Sequence, residues 1–167
     1  IEHTAADYGK ALIDQTGHSL DMYMRQLQRD TLPLLLLDEV KKFMNLTSTS
    51  GFEFYELTSE MDKALRTGLI YQRSDIIGVD VVSNSGIRYR TSNYDWFDSE
   101  QYEAAVLLRS PERTYVTGSI LFDDKNRPAL SYYRYYSDYV YRNVRDMIVV
   151  YLSLDEIIKT SDNVRLD

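Results

Sequence analysis

The stretch IIGVDVVSNSGIRYRT, residues 76–91, decides the fold. Upstream of it, apolar residues recur every three or four positions; from Ile76 the period becomes two. Ile77, Val79 and Val81 are expected on one face of a strand, with Ile76, Gly78, Asp80 and Val82 on the other. Ser83–Gly86 reads as a tight turn, because Asn and Gly accept positive φ, and Ile87–Thr91 returns as a second strand. A hairpin at this point makes the sheet antiparallel.

The chain before the hairpin reads as helix. Leu12, Thr16, Leu20, Tyr23 and Leu27 form one stripe. Pro33 either starts a second segment or kinks one long helix, and Leu34–Met44 continues as helix. The loop TSTSG, residues 47–51, breaks it. Leu57, Met61, Leu65 and Leu69 then mark another helix, with Ser59 and Asp62 as its start signal.

After the hairpin, NYDWFDSEQY (93–102) passes through a loop into a short helix, which Asp98 and Gln101 cap. Tyr115–Phe122 is a third strand, with Val116, Ile120 and Phe122 on one face and Tyr115, Thr117 and Ser119 on the other. Ala129–Tyr136 is a fourth, SDYVYRN (137–143) leads round to a fifth at Met147–Leu152, and Ser153–Glu156 is a capping box that opens a final helix. Helices followed by short antiparallel strands give an α+β fold, with the long helices on one face of the sheet.

Six of the ten residues from Tyr132 to Tyr141 are tyrosine. Tyr133 and Tyr135 share one face of the fourth strand, Tyr132, Arg134 and Tyr136 the other. One face meets the helices. The other needs a cover, and Tyr94, Trp96, Phe97 and Tyr102 supply one. An aromatic loop over a half-polar sheet face encloses a concave site suited to a small ligand. Strand packing alone also favours tyrosine, so only rings that converge with Trp96 are candidates for contact.

Composition narrows the function. The chain has 167 residues, is 44% hydrophobic and carries a formal charge of -7. The acidic balance argues against a nucleic-acid partner for the tyrosines. No cysteine is present, which removes disulfides, thiolate metal sites and a cysteine nucleophile. No apolar run is long enough to span a bilayer. His3 and His18 read as solvated helix residues, and no phosphate loop, nucleophile elbow or zinc motif occurs. No metal or cofactor is expected. Asp80 is the best-placed acid; it either lies in the cavity or pairs with Arg88 or Arg90 across the hairpin. Asp123–Lys125 reads as a solvated turn, and the NLT at Asn45 is too short a pattern to assign.

The phrases LIDQTGHSLDMYMRQLQRDTLPLLL (12–36), DIIGVDVVSNSG (75–86), DWF (95–97), ALSYYRY (129–135) and VVYLSLDEI (149–157) together resemble the extracellular sensor region of YesM-type bacterial histidine kinases. That resemblance implies a PAS-like double Cache fold in which a long membrane-leading helix precedes a five-stranded antiparallel sheet that holds a ligand. It implies three segments: a helical part at 1–72, the membrane-distal sheet at 73–153, and a helix and linker at 154–167 leading to a membrane-proximal module. It also implies a place outside the bacterial membrane in a membrane-anchored parent. Related Cache domains hold amino acids with a Tyr, an Arg, a Trp, a second Tyr and an Asp. Those positions fall here on Tyr89, Tyr94, Trp96, Phe97 and Tyr151. With tyrosine in place of both the Arg and the Asp, a zwitterion loses its two charge partners.

The resulting expectation is a non-catalytic sensing domain for an uncharged small molecule such as a saccharide. Its contacts are Tyr89, Tyr94, Trp96, Phe97, Thr117, Ser119, Tyr133 and Tyr151, and its signal leaves through the first helix. Two alternatives stand beside it. One is an interaction module, without a small ligand, that contacts another protein or a second copy of itself through that helix. The other is a carbohydrate-active enzyme using Asp80 with Asp95 or Asp98.

Overall fold

The structure, a computed structural model, describes residues 17–136 and 144–165, together with Thr4, Ala5 and Asp7. Helix α1 spans Gly17–Leu35. Leu27 is fully buried and Tyr23 packs at the margin, so the described part of the expected stripe faces the core, and Thr31 and Leu34 continue it. Leu12, Thr16 and the side chain of Leu20 lie outside the described residues, as do His3, the side chain of His18 and the SDYVYRN turn.

Pro33 sits inside the last turn of α1 rather than at the start of a new helix. The chain leaves the helix within two residues: Leu36 and Leu37 donate to the carbonyls of Pro33 and Leu34 at 3.1 and 3.3 Å. The expected continuous helix at 34–44 is therefore broken, and α2 spans only Asp38–Met44. Helix α3, Phe52–Gly68, starts directly after Gly51, whose φ of 105° makes the sharp entry. Ser59, expected near the start, is an exposed residue within the helix. Met61 and Leu65 on α3, with Leu69 just after it, are buried as the four-residue spacing requires.

The strands are β1 Ile76–Val82, β2 Arg88–Arg90, β3 Tyr115–Phe122, β4 Pro128–Tyr135 and β5 Met147–Ser153. They form one antiparallel sheet in the order β2-β1-β5-β4-β3. The fold is thus α+β, as expected. The hairpin turn closes with Gly86 at φ 87° donating to the Ser83 carbonyl at 3.0 Å. Helix α4, Ser99–Leu108, lies between β2 and β3; α5, Leu154–Arg165, follows β5. Asp98 caps α4 by accepting from the Gln101 N–H at 2.9 Å, and the Ser153 hydroxyl accepts from Glu156 at the start of α5.

Two irregularities change the predicted faces. The register shifts between Ile76 and Gly78, so Ile76 packs with Val79 and Val81 against the helices, while Ile77 turns to the opposite side. A second shift falls between Thr117 and Ile120. Tyr115 therefore joins Ile120 and Phe122 on the helical side, and Val116 and Leu121 face away.

One core lies between α1, α2, α3, α5 and the sheet, and all three expected segments contribute to it. The opposite face carries a second core of Val82, Ala129, Tyr133, Tyr135, Met147, Val149 and Tyr151 under Trp96, Tyr102 and Ala105. Among the described residues no helix is long and apolar enough to cross a membrane.

Candidate functional site

The second core is where the sequence placed a roofed aromatic layer. Helix α4 is tied down over it by two tyrosines: Tyr135 donates to the Ala105 carbonyl, and Tyr102 donates to the Arg145 carbonyl at 2.6 Å. Ahead of α4, residues 92–98 run over the centre of the sheet. Trp96 from this segment lies over Tyr151 of the central strand, with ring centroids 6.3 Å apart and planes 27° apart. Tyr94 meets Trp96 edge-on at 4.8 Å.

A charge network anchors the same segment. Arg88 donates to both oxygens of Asp95, at 2.9 and 3.0 Å, and to Asp80 Oδ2 at 3.1 Å. Arg90 lies 3.4 Å from Asp95. Arg88 also stacks over Phe97, 4.4 Å from the ring centre. Two carboxylates and two guanidinium groups sum to zero charge. Hydrogen bonding from Arg88 holds the Asp95 carboxyl below the usual carboxylate range. Asp80 behaves oppositely. Its side chain is only 1% exposed, and burial pushes its pKa up although Tyr151 and Arg88 both favour the charged form. The Tyr151 hydroxyl donates to Asp80 Oδ2 at 2.9 Å, and burial followed by the Asp80 charge keeps that hydroxyl protonated.

Four buried polar atoms on this side of the sheet make no well-formed hydrogen bond among the described residues: Asp80 Oδ1, Gln101 Oε1, and the hydroxyls of Ser131 and Tyr133, which have only a weak contact with each other. Such an atom costs about 1–3 kcal/mol when left unsatisfied, so a cluster of four calls for a functional explanation. Burial, with the charges of Asp98 and Asp80 and against a weak hydrogen bond with Ser131, pushes the Tyr133 hydroxyl up to about 12.

Outside Trp96 lies an open cleft of about 610 Å³. Tyr94 and Trp96 form one wall; the β3–β4 turn, with Asp124, Lys125 and Arg127, forms the other; Ile77 and Ser153 lie at its base. The turn is well built. Asp123 accepts from the N–H groups of Lys125 and Arg127 and from the Arg127 side chain, and Asn126 takes φ 59°.

The eight expected contact residues separate into three places. Tyr94 and Trp96 line the cleft. Tyr133, Tyr151 and Phe97 lie with Trp96 in the layer beneath it. The other three are elsewhere. Tyr89 pairs with Val81, so its ring packs at the helical core and its hydroxyl donates to Asp62 at 2.7 Å. Thr117 pairs with Tyr132 on the helical side and is exposed, because the register shift turns it away from Tyr133. Ser119 is exposed, and its carbonyl rather than its hydroxyl accepts from Gln101, at 3.2 Å.

Gln101, Ser131 and Arg88 also belong to the site, outside the eight expected contacts. Strand alternation carries the signal for Ser131, two residues from Tyr133. Gln101 has a fainter one in Gly118, where an added Cβ would lie 2.1 Å from Gln101 Oε1. The expected pairing of Asp80 with Arg88 is present. Among the described residues no group of three acids or histidines could hold a metal ion. No family model matches the chain, and no curated protein matches it.

Proposed function

We propose that this protein is an extracytoplasmic small-molecule-sensing domain of a bacterial two-component histidine kinase, with a PAS-like Cache fold. The observation that carries the reading is the Tyr94–Trp96–Tyr151 stack. It joins an open cleft on one side to a buried polar layer on the other. Tyr94 and Tyr151 are the positions where the resembled amino-acid sensors carry Arg and Asp. Here they present rings, and the nearby charges of Asp80, Asp95, Arg88 and Arg90 neutralise one another. The stack itself therefore offers a zwitterion no free pair of opposite charges, the charges of the cleft being those of the β3–β4 turn, Asp124, Lys125 and Arg127, whereas an uncharged, hydroxylated ligand can lie against the rings and bond to the rim.

The route out of the site is strand β4. Tyr133 and Ser131 face the ligand layer, while the next residue, Arg134, faces α1. Its Nη1 donates to the Gln28 carbonyl at 2.8 Å and to the Thr31 hydroxyl at 3.0 Å. A second tie joins α1 to the start of β1: Tyr23 donates to Asp75, and Arg73 bridges Asp30 and Asp75. A ligand that favours one arrangement of β4 biases α1 by its difference in affinity for the two arrangements.

The paired-acid alternative has a specific obstacle. Arg88 Nη1 lies within bonding distance of both Asp80 and Asp95, so a guanidinium fills the space a glycosidic oxygen would need. Asp98 is engaged in capping α4. The interaction-module alternative draws on Met22 and Leu32 of α1 and on Leu36 just beyond it, all exposed. A thermal-shift screen with sugars, amino acids, organic acids and nucleobases separates these readings. The sensing reading expects an uncharged compound to raise the melting temperature by mass action. A screen with no stabilising compound, together with a stable dimer at micromolar concentration, contradicts it.

A further inference from the structure

We infer that Asp80 Oδ1, Ser131 Oγ, Tyr133 OH and Gln101 Oε1 form an inner subsite beneath Trp96 that takes the hydroxyl groups of a neutral polyol. This rests on the ligand-sensing reading and adds a second compartment and a chemical class to it.

The four groups face the same layer. Asp80 and Tyr133 flank Val149 on either side in one row of the sheet, so their side chains rise from the same face. Ser131 pairs with Tyr151, whose hydroxyl bonds to Asp80. Gln101 comes down from α4. A Cβ placed at Gly118 would meet both Gln101 Oε1, at 2.1 Å, and Tyr133 Cε2, at 3.2 Å, so the amide and the ring come together over that glycine. The amide nitrogen donates to the Ser119 carbonyl, which assigns the orphan end of Gln101 as its oxygen. Asp80 spends Oδ2 on Tyr151 and Arg88 and leaves Oδ1.

The inventory selects the ligand. Two of the four atoms are acceptors, and two belong to hydroxyls that either donate or accept. Adjacent hydroxyls on a polyol offer the same mixture and satisfy all four. An anion would face the acceptors and the Asp80 and Asp98 charges. An ammonium could donate to these oxygens, but its charge would be buried with Asp80 as its one counter-charge, and Arg88 already offsets that charge at 3.1 Å. An apolar group would satisfy none. Trp96 is the partition, since it both lines the outer cleft and packs in the layer with Tyr133 and Tyr151.

Calorimetric titration tests this with myo-inositol, D-glucose and D-xylose as neutral polyols, L-serine as a zwitterion and succinate as an anion. The proteins are the wild-type chain, Tyr133→Phe and Ser131→Ala. At least one polyol binds the wild type, and each variant weakens that binding about tenfold. Tyr133→Phe changes the melting temperature little, because its hydroxyl makes only a weak contact with Ser131 and no well-formed hydrogen bond in the protein. Equal polyol affinity in all three proteins confines binding to the outer cleft and overturns the inner subsite while sensing stands. Binding of serine or succinate without any polyol overturns the chemical class and also leaves sensing standing. Silence from every probe overturns the subsite, and the broader thermal screen then decides the sensing reading on its own.

Discussion

Trp96 covers Tyr151: a ring from an irregular segment rests on a ring from the central strand, 6.3 Å away and 27° from parallel. Tyr151 is fully buried and Trp96 is 6% exposed, so the contact closes the second core. Trp96→Ala opens that core and costs about 3 kcal/mol. It also abolishes stabilisation by any ligand of the cleft. Urea unfolding and a thermal-shift assay with a bound compound check both effects. Retained ligand stabilisation would move the binding site away from this wall.

Asp80 makes stability depend on pH in an unusual direction. Its pKa in the folded chain is raised by burial, so the folded state binds a proton more readily than the unfolded state. Stability from this group is therefore greatest below the unfolded carboxylate value and is lost as pH rises through the folded one. Asp95 has a lowered pKa and works the other way. Comparing wild type with Asp80→Asn isolates the first group. The wild type gains melting temperature relative to the variant as pH falls from about 7 toward about 4. A difference that is flat, or that shrinks on acidification, contradicts the assignment.

Arg134 should couple the sheet to α1. It is 8% exposed, and Nη1 bonds to Gln28 and Thr31. Arg134→Met keeps the aliphatic stem and removes both bonds, at a cost of about 1–3 kcal/mol. Amide hydrogen exchange should speed up along residues 27–31 more than along α4. Uniform acceleration throughout the chain would mean that Arg134 supports the fold without specifically tying down α1.

Gly118 should be coupled to Gln101. Gly118→Ala displaces the Gln101 amide from its place over Tyr133 and costs about 1 kcal/mol, the worth of the lost bond to Ser119. In a Gln101→Ala background the same change is nearly neutral. A double-mutant cycle reads the coupling directly; additive effects would place the amide elsewhere.

Much of this arrangement was legible in the sequence because it follows from periodicity. The period-two run at 76–82, the Ser83–Gly86 turn and the alternation of Tyr132 with Tyr133 all encode a sheet with two apolar faces. The Asp98 cap located α4. What periodicity cannot supply is the position of a bulge. One irregularity between Thr117 and Ile120 reverses the faces of β3 and takes Thr117 out of the site. Tyr89 could have been placed correctly: it pairs with Val81 across the hairpin, and Val81 faces the helices. The path of residues 92–98 depends on Asp95 meeting Arg88 and Arg90, a contact set by the folded sheet and invisible to local pattern.

The most direct test of the ligand-sensing account uses the fact that Trp96 is the only tryptophan in the chain, so intrinsic indole emission reports on one wall of the cleft. Titrating neutral sugars and polyols into the full chain while following that emission should give a saturable spectral shift. The same compounds should raise the melting temperature, and charged amino acids should do neither. A saturable shift produced by an amino acid instead would overturn the neutral class of the ligand, and an unchanged spectrum with every compound would contradict the account.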